Sequence, residues 1–219
     1  MEGREMRYAQ VRDSRTQDAR SVGANRFSRL HRLEGSAYRG EVAVHWSMAT
    51  ERRSTGWLSD LAHAKVREAL LHVAARYDLW CPAYCLMPDH AHVIWIGTSD
   101  RSDQLKAIAF LRRRTHSEVP GLVWQRQPYD HVLKQEEMSR DGIASACHYV
   151  FENSVQAKFV ERREDYRYWG SCLLGYPDVD PRRTDFWDVF WTLFLRETSN
   201  VRASRRAATQ EQEAGNLPR

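Results

Sequence analysis

The sequence predicts an α+β domain, a mostly antiparallel sheet with helices packed on one face, and three observations carry that reading. The hydrophobic pattern switches several times between a period of two and a period of 3.6. The elements follow in the order strand, helix, strand, strand, helix, strand, helix. A proline splits two neighbouring β-type runs and marks a hairpin-like break between them.

The elements can be justified in turn. Glu41 to Ala49 is short and rich in β-formers, which reads as a strand. Ser59 is placed to cap a helix whose apolar positions Ala62, Val66, Ala69, Leu70, Val73 and Tyr77 follow the helical period. Two β-type runs follow, Leu79 to Leu86 and His90 to Ile96, with Met87, Pro88 and Asp89 between them. A second helix is expected from Ser102 or Asp103, ending in the cluster Arg112, Arg113 and Arg114 before Pro120. Trp124 to Leu133 reads as irregular chain plus a short strand, and a third helix is expected from about Glu136 through Phe159. The aromatic stretch DYRYWGS and the proline-punctuated YPDVDPRR lead to DFWDVFWTLFLRE, a short amphipathic helix with Asp185 as its candidate cap.

The chain of 219 residues is long enough for a real core without disulfide staples. Residues 1–36 read as a mobile basic arm, 37–175 as the folded domain, 176–202 as a helical extension and 203–219 as a mobile tail. No apolar run reaches the roughly 18 residues that span a bilayer, and the first residues lack a signal-peptide core, so a cytoplasmic protein is expected. The four cysteines therefore read as reduced thiols. Lys+Arg 33 against Asp+Glu 29 gives a net charge of +4. Only Lys65, Lys106, Lys134 and Lys158 among those cations are lysines. Arginine's planar fork suits phosphate, so the bias fits a nucleic-acid binder, although a GC-rich genome would produce it too.

The stretch most informative about chemistry is YCLMPDHAHVIWIG, Tyr84 to Gly97. Alternate strand residues share a face, so His90 and His92 project side by side, roughly 6.5–7 Å apart along the backbone, and can converge on one divalent ion. On the third helix Tyr149, Asn153 and Gln156 fall at i, i+4 and i+7, with Ile143, Cys147, Val150, Phe151 and Ala157 on the adjacent, core-facing side. A tyrosine thus shares a polar stripe with two carboxamides.

These segments resemble a known family. MPDHAHVIW looks like the His-hydrophobic-His signature of single-strand transposases, and HYVFENSVQAKFV is similar to their tyrosine helix. Trp124-Gln125 with Tyr129-Asp130-His131 matches the linking segment, and Asp165 to Ser171 approximates the aromatic-Ser-Ser element. The order holds from about Tyr38 to Ser171 and points to the REP-associated tyrosine transposases, relatives of the insertion sequence 200-like enzymes. The resemblance implies a ferredoxin- or RRM-like fold, a divalent metal (Mg²⁺ or Mn²⁺) held by His90, His92 and Asn153, and Tyr149 as the nucleophile. That attack would leave a 5′-phosphotyrosine on hairpin-bearing single-stranded DNA in a monomer or homodimer. Two departures stand out: Ser154 replaces the family's proline after Asn153, and YWGSC replaces Trp-Ser-Ser.

Candidate DNA contacts are Arg112, Arg113, Arg114 and Arg126 for phosphates, with Trp169 or Tyr168 for base stacking. His45 and His131 are candidate supporting partners of the site. The competing readings are a structural zinc module of Cys81, Cys85, His90 and His92, whose C-x3-C-x4-H-x-H spacing departs from familiar zinc patterns, and a catalytically silent DNA-binding descendant. A histidine-triad hydrolase is disfavoured, since Ile94 stands where a third histidine would be needed.

Overall fold

The structure, a computed structural model, describes residues 32–215. The residues read as an amino-terminal arm lie outside it as far as residue 31, and residues 216–219 lie outside it at the other end. Five strands form one antiparallel sheet in the order β4-β1-β3-β2-β5. They are β1 (Ala43–Ala49), β2 (Leu79–Met87), β3 (His90–Gly97), β4 (Tyr129–Val132) and β5 (Trp169–Cys172). The helices are α1 (Asp60–Tyr77), α2 (Gln104–Glu118), α3 (Arg140–Phe151), the single turn α4 (Asn153–Gln156) and α5 (Phe186–Gly215).

The helix starts follow capping chemistry. The Ser59 hydroxyl accepts the Ala62 N–H and the Asp103 carboxylate accepts the Lys106 N–H, satisfying donors that a first turn leaves open. Asp78 closes α1 in the left-handed region, φ 52. β2 and β3 join through the two-residue turn Pro88-Asp89, the break expected at that proline. Pro82 falls where the register of β2 shifts against both neighbours, between residues 80 and 84, a position that tolerates a missing N–H. The extra residue there places both Cys81 and Tyr84 on one face of the sheet.

Strand alternation gives the sheet two unlike faces. Val44, Trp46, Met48, Tyr84, Leu86, Ala91, Val93 and Trp95 point into a core shared with α1 and α2. The opposite face carries His45, His90, His92, Cys85, Met87 and Ile94, and α3 lies across it. The expectation of helices on one face therefore holds for α1 and α2 only. β2 is buried along its whole length, as a strand covered on both sides must be, so its sequence lacks alternation.

Other boundaries also differ from expectation. The third helix starts at Arg140, capped by Ser139, after a separate 3-10 turn at Gln135–Met138. It stops short of Phe159: the backbone breaks at Glu152, α4 ends at Gln156, and Lys158 turns left-handed at φ 60. Ala157, expected in the core, is consequently exposed. β5 is an additional strand, pairing Cys172 with Cys81 and Gly170 with Tyr84. α5 runs on to Gly215 instead of ending near residue 202, because RASRRAATQEQEA is composed mostly of strong helix formers. Its first turns pack Phe190 and Phe194 on Trp80, with ring centroids 5.5 and 5.4 Å away. Residues 32–36 join the fold rather than the arm: Arg32 pairs with Asp130 at 3.1 Å, and a 3-10 turn at Gly35–Tyr38 buries Tyr38.

Candidate active site

The site forms where the second face of the sheet meets the end of α3. In β3, His90 and His92 share that face, and their ring centroids lie 4.9 Å apart at 87°. Each imidazole is held through Nδ1. His90 Nδ1 is 2.6 Å from Asp89 Oδ1, and His92 Nδ1 is 3.0 Å from His45 Nε2. Nε2 is therefore the open nitrogen on both rings, the arrangement in which an outer partner fixes the tautomer of a metal-binding histidine. Asp89 is itself fixed. Its carbonyl accepts from the N–H and hydroxyl of Thr50, and its carboxylate pairs with Arg53 at 3.2 Å.

α3 brings Tyr149 to the same place. Its ring centroid lies 6.0 Å from His45 and 6.4 Å from His92. Asn153 explains why the helix breaks there: its carboxamide nitrogen donates to the carbonyls of Tyr149 and Val150, which a continuing helix would fill with backbone N–H groups. The Asn153 oxygen is thereby turned away from those carbonyls, and the side chain lies beside His92.

Burial keeps the imidazoles neutral. It drives His45 down to about 4, with His131 adding to the shift. His92 lies well below the usual histidine range, through burial first and then the nearby His45, His90 and Arg53, while Asn153 acts in the opposite direction. Burial also lowers His90, partly offset by Asp89. On the other face, His63 is lowered to about 4 by burial and by Arg67. A buried neutral base loses stability when acid charges the unfolded chain first. In the presence of a chelator, Tm is expected to hold above about pH 6.5 and to fall steeply from there towards pH 4, with net proton uptake on unfolding. Calorimetry across that window checks this, and a flat Tm would contradict the neutral, buried assignment.

The donor set fits a small divalent cation: two neutral imidazoles with free Nε2 atoms and one carboxamide oxygen, a combination suited to Mn²⁺ and acceptable to Mg²⁺. Among the described residues no three His, Cys, Asp or Glu side chains are grouped to hold a metal. The zinc alternative fails on geometry, because Cys81 packs in the α1–α2 core, on the face opposite His90 and His92.

The expected DNA contacts are scattered. Arg112, Arg113 and Arg114 lie on α2, across the sheet from the histidines. Arg112 donates to the Gln125 carbonyl, Arg114 pairs with Glu68 and Glu118 at 3.0 Å each, and Arg113 lies over the Phe110 ring. Trp169 is buried in β5. It donates to the Arg163 carbonyl, packs on Phe151, and carries the Arg182 guanidinium 4.3 Å above its ring, so its faces are taken. Arg126 is exposed and follows Gln125, whose N–H donates to Ala49 beside His90 in the sheet. Arg53 and Asp89 are parts of the site that the sequence reading did not single out. Their only signal was an arginine pair in a loop and an acid next to a histidine.

No protein-family profile matches the chain. A protein of Haemophilus influenzae described as a REP-associated tyrosine transposase is 20% identical over 138 residues, which span 56% of this chain and 76% of that protein. A solved structure of a REP-associated tyrosine transposase bound to a REP hairpin superposes with a TM-score of 0.53 at 19% identity, covering 65% of this chain and 81% of that one. The chain is thus similar in sequence to a REP-associated tyrosine transposase and in fold to a solved one. The α+β antiparallel architecture is shared with that structure over 65% of this chain. Among the described residues no helix is long and apolar enough to cross a membrane.

Proposed function

We propose that the chain cleaves and rejoins single-stranded DNA at hairpin elements, as a transposase of the REP-associated type. The observation that carries this reading is the meeting of Tyr149 with the His90–His92 pair on one face of the sheet. Nothing in a structural role requires a tyrosine, a buried and a half-buried imidazole and a carboxamide to share that spot.

The chemistry follows from the residues. The Tyr149 oxygen forms a bond to the scissile phosphorus, the P–O3′ bond breaks, and the 3′ oxygen leaves as a hydroxyl, so the 5′ phosphate stays on the tyrosine. A second 3′-hydroxyl can reverse the step, because the phosphotyrosine ester keeps the bond energy. His90, His92 and Asn153 would hold Mg²⁺ or Mn²⁺, which supplies charge neutralisation at the phosphate's non-bridging oxygens. The packing of α3 on the sheet keeps Tyr149 against that place before DNA arrives, so little ordering is left for the reaction itself. Nucleophile and donors all come from one copy, which supports a monomer as the working unit. Arg126, on the rim, is placed to meet DNA phosphates.

The test is incubation of the full chain with labelled hairpin oligonucleotides and Mn²⁺, followed by denaturing electrophoresis. The wild type is expected to carry a covalent DNA adduct and Tyr149→Phe none. Equal adduct in both would reject Tyr149 as nucleophile. Hairpin binding without adduct in the wild type would favour a DNA-binding protein that performs no chemistry.

A further inference from the structure

His92 differs from His90 in what stands behind it. His90 is backed by a carboxylate, whereas His92 is backed by another imidazole, His45 of β1, with Nε2 3.0 Å from His92 Nδ1 and the ring planes inclined by 38°. The same His45 ring meets Tyr149 edge-on at 6.0 Å, so one side chain touches both a candidate cation donor and the candidate nucleophile. Behind His45 the polar row continues across the sheet. His131 of β4 is its register partner, and Glu137 Oε1 lies 3.3 Å from His131 Nε2.

We propose that His45 is a positioning residue that commits His92 to bind the cation through Nε2 and sets the ring's angle towards Tyr149. The inference rests on the reading of His90, His92 and Asn153 as the cation's holders. A neutral imidazole carries one ring proton. With a cation on Nε2 of His92, that proton sits on Nδ1, and the atom 3.0 Å away must accept it. His45 Nε2 is then a bare acceptor and His45 carries its own proton on Nδ1, on the other side of its ring. A phenylalanine at position 45 would fill the space and accept nothing, whereas a glutamine can return an acceptor to the place of Nε2.

The experiment uses the full chain with Mn²⁺ and Mg²⁺ as probes. Mn²⁺ affinity is read by electron paramagnetic resonance for the wild type, His45→Phe and His45→Gln. Long-range proton–nitrogen spectra of ¹⁵N-histidine protein saturated with Mg²⁺ report which ring nitrogen of His92 holds the proton. The expected result is a loss of about 10–100-fold in Mn²⁺ affinity for His45→Phe, recovery of most of it in His45→Gln, and the proton on His92 Nδ1 in the wild type. Unchanged affinity in a folded His45→Phe, or a proton on Nε2 in the Mg²⁺-saturated wild type, would overturn the assignment while leaving the cation site standing. Absence of Mn²⁺ binding by the wild type would instead remove the cation reading, and this proposal with it. If His45→Phe fails to fold, the wild-type spectrum decides.

Discussion

His92→Ala is expected to abolish Mn²⁺ binding and to reduce adduct formation with hairpin DNA by about 10³-fold, the consequence of losing several kcal/mol of stabilisation at the reacting phosphate. Three features make this the most sensitive position of the site. The ring sits between His45 and His90, with the Asn153 carboxamide and the Tyr149 ring also against it. It is buried, so no water network readily replaces the lost nitrogen. The void left by the ring would also loosen Asn153, whose hydrogen bonds close the end of α3. Circular dichroism should show the fold retained, since the core shared with α1 and α2 lies on the other face. An adduct yield within tenfold of wild type in a folded His92→Ala protein would contradict the assignment of this residue.

The largest expected effect on stability lies across the sheet, at Trp46. This side chain is fully buried, and its Nε1 donates to Gln104 Oε1 at 3.2 Å. Gln104 is itself fully buried and donates to the carbonyls of Val42 and, more weakly, Trp95. Trp46→Ala would open a large cavity, costing about 3–5 kcal/mol, and leave the Gln104 oxygen without its donor, costing about 1–3 kcal/mol more. The sum approaches the whole stability of a typical domain, about 5–15 kcal/mol. Urea unfolding should therefore find Trp46→Ala largely unfolded or shifted to a much lower midpoint. A midpoint close to wild type would mean that β1 is not the centre of the core.

Much of this molecule was legible because its signals are local. Ser59 and Asp103 announce the starts of α1 and α2 through capping chemistry that needs no tertiary partner, and Pro88 announces the hairpin. The paired histidines were legible from strand alternation, and Tyr149 with Asn153 from helical spacing. What escaped the sequence depends on long-range partners. β5 was hidden because its glycine, Gly170, weakens strand propensity; the residue is small because the Tyr84 hydroxyl lies where a Cβ would nearly touch it, at 3.1 Å. The break after Phe151 follows from hydrogen bonds made by the Asn153 side chain, which spacing cannot show.

The arginine cluster illustrates the limit of counting charge. Three consecutive helical residues point in three directions, about 100° apart. Arg112 thus turns to a carbonyl of the following loop, Arg113 to an aromatic ring and Arg114 to two glutamates. Similarly, an aromatic in the stretch DYRYWGS suggests a stacking platform, but Trp169 closes the edge of the sheet. His45 was visible only as a histidine in a strand, and its partnership with His92 emerges from the pairing of β1 with β3.

The turn at Pro88-Asp89 has a practical corollary for anyone re-engineering this chain. One aspartate there braces an imidazole through one oxygen, an arginine through the other, and a threonine through its carbonyl. An inserted spacer of even a single residue would dislocate all three at once. Fusion tags, fluorophores or a circularly permuted opening are better sited at the exposed residues 183–184, remote in sequence from that brace.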